Sequence, residues 1–222
     1  MVCNVFSGKI KPALVLLFGV WLAACAGTGV SVRQSESAYL EELLKIKAQS
    51  EDADFLALRM AFVRTPEYQP YGGAEYTLSG DLFKAMEESE YRHCVEIANQ
   101  LLRENYTSLN GHYAAMVCNM GLGNEETGMY HRYVLNGLMQ SIGNSGDGRS
   151  PESAYIAIST PELRAFLRLI GLEINSQALV VEGGKSFDVM GVKYPKSGDE
   201  FEMTFDISIQ MSKAPDYQQS GK

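Results

Sequence analysis

Residues 180–208 read VVEGGKSFDVMGVKYPKSGDEFEMTFDIS, and this stretch decides the second half of the fold. Gly183-Gly184 is a two-residue turn signal between two apolar runs. It predicts a β-hairpin built from residues 178–182 and 185–194. Apolar and polar residues then alternate from Phe201 to Ile209, which predicts a third strand buried on one face.

The hydrophobic pattern of the middle strand changes phase between Val189 and Met190-Gly191, which predicts a β-bulge there. Upstream, residues 154–159 suit a short strand, and Thr160-Pro161 opens a helix that ends at Gly171. Residues 151–211 therefore predict a small β-α-β-β-β unit with an antiparallel meander. We expect residues 212–222 to be a polar tail.

The preceding region, residues 36–143, has helical periodicity. A first helix is expected to begin at Ser35 or Ser37, and a second after Asp52 or Asp54. Residues 67–76 are rich in glycine and proline and predict a loop. Further helices are predicted at residues 79–88, 91–104, 109–122 and 125–142. The glycine-rich residues 143–150 mark a hinge or boundary.

The helices from residue 90 onward resemble the tetratricopeptide repeat. Glu90-Tyr91 and Asn124-Glu125 are 34 residues apart, the period of that repeat, and Leu122-Gly123-Asn124 falls at its turn. Tyr106 stands where the repeat usually has proline, and Gly111 and Gly128 weaken helices. A generic helical hairpin is the alternative. The predicted fold class is α+β, with tetratricopeptide-like hairpins before the β-rich unit.

The first 24 residues predict a secretory signal peptide. Lys9 and Lys11 precede an apolar run of 12 residues, ALVLLFGVWLAA, which is too short for a transmembrane helix. The run ends Leu22-Ala23-Ala24-Cys25, which resembles the bacterial lipobox. That resemblance implies lipid on Cys25 and a tether over residues 25–35. A plain signal peptide and a buried apolar helix remain as alternatives.

Charge and the lipobox together predict a location. Without Lys9 and Lys11 the chain has 17 basic and 27 acidic residues, a net charge of −10, which excludes nucleic acid as a partner. Ala26 in place of aspartate favours the outer membrane by the enterobacterial sorting rule. We therefore predict a bacterial envelope protein, anchored by lipid and facing the periplasm.

Three segments together resemble a family of bacterial envelope proteins known as domain of unknown function 4919. They are DFLALRMAFVRTPEYQPYGG (residues 54–73), SGDGRSPESAYIAIS (residues 145–159) and the stretch quoted first, residues 180–208. The resemblance implies an architecture and a location. It implies no activity.

Candidate ligand-binding residues cluster at the predicted loop. Tyr68, Tyr71 and Tyr76 suit a ligand-stacking rim or a packed loop, and Arg59 and Arg64 flank them. Arg59 suits either a carboxylate ligand or an internal ion pair with Asp54 or Glu67. His93, His112 and His131 lack metal-ligand spacing, and we expect neither a metal nor a cofactor.

Cys94 and Cys118 are the thiols that remain after Cys3 leaves with the signal peptide and Cys25 takes lipid. Each lies 12 residues from Tyr106, so an antiparallel hairpin brings them to the same height. A disulfide is predicted, with two buried free thiols as the alternative.

No catalytic motif is present, and the predicted function is therefore non-enzymatic. We expect a docking module for a protein or peptide. A binding module for a small envelope ligand, such as a glycan or peptidoglycan fragment, is one alternative. An enzyme with an unrecognised site is the other.

Overall fold

The computed structural model describes residues 27–214, so the predicted signal peptide, Cys25 and residues 215–222 of the tail lie outside the described residues. Helices dominate the first part of residues 27–214. They are α1 (Gly27–Lys47), α2 (Phe55–Phe62), α3 (Ala74–Glu87), α4 (Tyr91–Glu104), α5 (Leu109–Gly121) and α6 (Glu125–Gly143).

The second part contains the sheet. After a 3₁₀ turn at Pro151–Ser153 come β1 (Tyr155–Ile156), α7 (Thr160–Leu169), β2 (Glu173–Glu182), β3 (Lys185–Lys193), β4 (Glu200–Asp206) and α8 (Ser208–Met211). The α+β class and the β-α-β-β-β order are confirmed.

Two helices begin earlier than predicted. α1 begins at Gly27, so residues 27–35 continue a helix and do not form a separate tether. No proline stops propagation there, and adding turns to an existing helix costs little. α3 begins at Ala74, because Gly73 turns the chain with a φ of 70°. Tyr76 therefore lies in a helix and not in the predicted loop.

Glycines bring the helices of the hairpins close together. A Cβ on Gly111, near the start of α5, would lie 2.5 Å from a Leu101 methyl near the end of α4. A Cβ on Gly128, near the start of α6, would lie 2.8 Å from Met120 of α5. These contacts make α4–α5 and α5–α6 antiparallel pairs. The cost in helix propensity at Gly111 and Gly128 is therefore offset by close packing.

The sheet has the order β1-β4-β3-β2. The meander β2-β3-β4 is antiparallel as predicted, but β1 pairs with β4 in parallel, so the sheet is mixed. The bulge lies in β2, between Ile174 and Ser176, and not in β3. Gly191 of β3 provides the space, since a Cβ there would lie 2.1 Å from the Ser176 hydroxyl.

β4 ends before the predicted strand does. The Asp206 carboxylate accepts a hydrogen bond from the Ser208 amide at 2.9 Å and turns the chain into α8. Ile207 and Ile209 therefore leave the strand although they continue its alternation. Residues 143–150, predicted as a hinge, are fixed by hydrogen bonds from the Asp147 and Gly148 amides to the Ser153 carbonyl, both at 2.9 Å.

One hydrophobic core joins the two parts. It contains Leu58, Leu138 and Ile142 from the helices, and Met190 and Phe205 from the sheet. Leu163 and Leu167 of α7 lie in the same cluster. The helices and the sheet are therefore two layers on a shared interior.

Candidate functional site

Arg59 is a structural residue of the interior. Its side chain is fully buried, and Nε donates to Glu162 Oε1 at 2.8 Å while Nη2 donates to Glu162 Oε2 at 2.9 Å. Nη2 also donates to the Ile156 carbonyl at 2.7 Å, and Nη1 to the Ser141 hydroxyl at 3.3 Å. The predicted internal ion pair is present, but its partner is Glu162 and not Asp54 or Glu67, and the guanidinium is not open to a ligand.

The predicted tyrosine rim is packed closed. The Tyr68 hydroxyl donates to the Ile158 carbonyl, and the Tyr76 hydroxyl donates to the Pro70 carbonyl at 3.1 Å. Burial raises the pKa of Tyr68. The space left around this loop is about 30 Å³, enough for about one water molecule. Tyr71 contacts Met211 Sδ at 3.3 Å, and Arg64 lies exposed just after α2.

The two cysteines of the helical hairpin meet in the structure. Cys94 of α4 and Cys118 of α5 are joined in a disulfide with their Cα atoms 6.2 Å apart, and both residues are fully buried. The bond ties the start of α4 to the end of α5.

A groove of about 620 Å³ lies between α1 and α4. Its volume falls in the range of about 300–1,000 Å³ that is typical of ligand pockets. Its lining combines apolar and aromatic side chains with a rim of both charges. The apolar part is Tyr39, Leu40, Leu43, Phe62, Leu102 and Tyr106, and the charged part is Glu36, Lys47, Glu67, Arg103 and Glu104.

The first helix supplies the exposed edge of this groove, which we call the α1–α4 groove. Leu40 is 54% exposed and Leu44, one turn later, is 66% exposed. Ile46 points into the core and is fully buried. α1 therefore has apolar residues outside the face that packs against the core. This excess of apolar residues is visible in the sequence and could have indicated a binding surface.

A pair of histidines lies under the groove. His112 Nδ1 and His131 Nδ1 are 3.0 Å apart, and His112 Nε2 lies 2.9 Å from the Tyr106 carbonyl oxygen. Burial, reinforced by the charge of His131, lowers the pKa of His112 to about 3. Burial lowers the pKa of His131 to about 4. Both rings are therefore neutral at neutral pH.

The hydrogen-bond partners of the two rings determine their tautomers. A carbonyl oxygen only accepts, so His112 carries its proton on Nε2 and its Nδ1 accepts. His131 must then donate from Nδ1, which leaves its Nε2 as an acceptor. Because His131 is part of the groove lining, the groove gains a neutral hydrogen-bond acceptor. The spacing of these histidines in the sequence gave no indication of the direct bond.

Tyr106 completes the floor. Its hydroxyl is hydrogen-bonded to the Tyr130 hydroxyl, and its ring lies 5.3 Å from the Lys47 ammonium. Burial raises the pKa of Tyr106. The groove therefore combines a fixed aromatic floor, one acceptor and a rim of both charges, which is an arrangement for recognition of an apolar group with polar neighbours.

Residues 27–214 lack two features. No helix there is both long enough and apolar enough to cross a membrane. Within the same residues no three histidine, cysteine or acidic side chains are grouped to hold a metal ion. The Asp147 carboxylate accepts hydrogen bonds from the Arg149 amide and the Ser153 hydroxyl.

Comparison with known proteins gives one match. The model of the family described as Domain of unknown function (DUF4919) matches residues 30–215. Neither the curated proteins nor the solved structures give a match. The matched residues span both the helical layer and the sheet.

Proposed function

This chain belongs to the DUF4919 family, and on that premise we propose that it is a non-enzymatic, lipid-anchored envelope protein that docks a peptide segment in the α1–α4 groove. The observation that carries the proposal is the exposure of Leu40, which lines a groove of about 620 Å³, with Leu44 exposed one turn further along α1. Large apolar side chains left open beside a concave surface are typical of interaction sites.

The partner segment is an amphipathic helix. Leu40 and Leu44 are one turn apart on α1, which suits two apolar side chains at i and i+4 on a facing helix. The rim presents Lys47 and Arg103 as well as Glu36 and Glu104, so the partner carries charges of both signs beside its apolar stripe. The neutral His131 acceptor suits a hydroxyl or amide group at the centre.

The lipid anchor is proposed from the sequence Leu22-Ala23-Ala24-Cys25. α1 begins at Gly27, two residues after Cys25, so the anchor adjoins the helix that forms one wall of the groove. Docking would then take place next to the membrane surface. The acidic net charge favours solubility of the part that faces the periplasm.

Anchoring is tested by the substitution Cys25→Ser. The wild-type chain should partition into the membrane fraction, and the variant should accumulate as uncleaved precursor or in the soluble fraction. Normal processing and membrane partition of the variant would contradict lipid attachment.

Docking is tested by affinity capture of the full anchored chain from solubilised membranes. We expect Leu40→Asp to lose a partner that the wild-type chain retains. Leu179→Asp is the matched control, because Leu179 is 56% exposed on β2, which contributes no residue to the groove. Retention of every partner by Leu40→Asp, or equal loss with Leu179→Asp, would contradict docking in the groove.

A further inference from the structure

A second concave surface lies between α3 and α7, on another part of the molecule. This cleft has a volume of about 690 Å³. α3 contributes Tyr76 and Phe83, and α7 contributes Arg164 and Arg168, which are one turn apart on the same face. Tyr76 is 50% exposed, so this predicted ligand residue lines the cleft although its loop is closed.

Arg168 is held in place without an acidic partner. Its Nη2 donates to Asn110 Oδ1 at 2.7 Å, and its guanidinium lies 4.6 Å from the Phe83 ring centre and 5.4 Å from that of Tyr113. Asn110 Nδ2 in turn donates to Glu75 Oε1 at 2.8 Å. An amide therefore stands between the arginine and Glu75, and the guanidinium retains N–H donors for another group.

Arg164 repeats this arrangement one turn earlier. Its Nη2 donates to Gln177 Oε1 at 2.8 Å, and Gln177 Nε2 donates to Asp188 Oδ2 at 2.9 Å. Asp188 is buried on β3, an inner strand of the sheet. Among residues 27–214, neither Arg164 nor Arg168 forms an ion pair with an aspartate or glutamate, in a chain with an excess of acids.

The acids that line the cleft have partners of their own. Glu173 Oε2 lies 2.9 Å from Lys193 Nζ. Glu75 accepts from Asn110 and, at 3.4 Å, from Asn105, and burial raises the pKa of its carboxyl. The two guanidinium groups are therefore the groups in this cleft that are placed to meet an incoming anion.

We propose that the α3–α7 cleft binds a sugar that bears an anionic group. Arginine forks match carboxylate and phosphate oxygens, and Arg164 and Arg168 supply two such forks on one face. Tyr76, which is 50% exposed, supplies flat apolar surface for the carbon face of a sugar ring beside the two arginines. This site is independent of the groove and stands whether or not the groove docks a peptide.

The experiment measures binding of three probes to the purified mature protein by calorimetry. N-acetylmuramic acid carries a carboxylate, N-acetylglucosamine 6-phosphate carries a phosphate, and N-acetylglucosamine is the neutral ring. We expect at least one acidic probe to bind about tenfold or more tightly than the neutral ring, as charge-assisted hydrogen bonds predict. The preferred acidic probe identifies the anion.

Variants separate recognition from folding. Arg164→Gln with Arg168→Gln should remove the preference for the acidic probe, and Arg164→Lys with Arg168→Lys should restore part of it. Arg149→Gln is the matched control, because Arg149 is exposed in the loop after α6. Failure of both acidic probes to bind, binding equal to that of the neutral ring, or an unchanged preference in the double glutamine variant would overturn the proposal.

Discussion

The guanidinium of Arg59 and the carboxylate of Glu162 form a doubly hydrogen-bonded ion pair, with both side chains buried and the two residues 103 positions apart in sequence. Arg59 lies on α2 and Glu162 on α7, so the pair joins the helical layer to the sheet layer. Glu162 also accepts from the Ile158 amide at 2.8 Å, and Arg59 donates to the Ile156 carbonyl. The pair thereby fixes the segment that leads into α7.

Removing one partner of this pair should be strongly destabilising. Glu162→Gln leaves the Arg59 charge buried without a counter-charge, and we expect a loss of about 3–5 kcal/mol in the free energy of unfolding. Denaturant unfolding checks this value. The control is Glu173→Gln, which breaks an exposed pair with Lys193 and should have a much smaller effect. Equal losses in the two variants would contradict a joining role for Arg59 and Glu162.

The histidine pair should make stability depend on pH. The folded state lowers the pKa of His131 to about 4 and that of His112 to about 3, against about 6.5 in the unfolded chain. As pH falls below about 6.5, the histidines of the unfolded chain bind protons and those of the folded chain do not. The free energy of unfolding is therefore highest above that pH and decreases towards pH 4. Each histidine contributes a slope of at most about 1.4 kcal/mol per pH unit.

The measurement is the free energy of unfolding at several pH values between 7.5 and 5. His131→Gln removes one titrating group and should reduce the slope by about half. His93→Gln is the matched control, since His93 is exposed on α4. A wild-type stability that stays constant from pH 7.5 to 5 would contradict a buried neutral pair.

The disulfide should stabilise the folded chain, because it closes a loop and so restricts the unfolded chain. Cys94 and Cys118 are 24 residues apart, for which the chain-entropy model gives roughly 3.5 kcal/mol. Replacing both cysteines with alanine should lower the unfolding midpoint, and a reductant should lower the wild-type midpoint without changing that of the variant. A reductant effect of equal size in both proteins would mean that the bond is absent. Mass spectrometry of unfolded, alkylated protein from cells gives an independent count of free thiols.

Replacing two helical glycines with alanine should change the stability of the chain in opposite directions. Gly80 on α3 has open space around its Cα, so Gly80→Ala should stabilise the chain by up to about 1 kcal/mol through helix propensity. A Cβ on Gly137 of α6 would lie 2.2 Å from the Phe55 ring, so Gly137→Ala should destabilise. Thermal unfolding of the two variants checks the signs. Stabilisation by Gly137→Ala would show that α2 and α6 are not in close contact.

Local signals account for the parts of the fold that could be predicted. The bounds of α4 followed from its helical periodicity, and the β2–β3 turn followed from Gly183-Gly184, whose φ values are 58° and 79°. Long-range relations were not visible in the sequence. Neither the partner of Arg59 nor the parallel pairing of β1 with β4 has a local signature.

The candidate sites show the same difference between local patterns, which the sequence reveals, and long-range contacts, which it does not. A cluster of tyrosines in one segment suggested a ligand rim, but Tyr68 bonds a carbonyl 90 residues away and closes it. The groove and the cleft each combine residues from segments distant in sequence, which a linear pattern does not bring together. Only the apolar surplus of α1 was available in advance.

The most direct test of docking in the α1–α4 groove is photo-crosslinking in living cells. A benzophenone amino acid replaces Leu40 in the full anchored chain, and the control chain carries it at Leu179. We predict a light-dependent adduct with one envelope protein at position 40, absent at position 179 and weakened by Leu44→Asp in the same chain. No adduct at position 40, or the same adducts at both positions, would contradict the account.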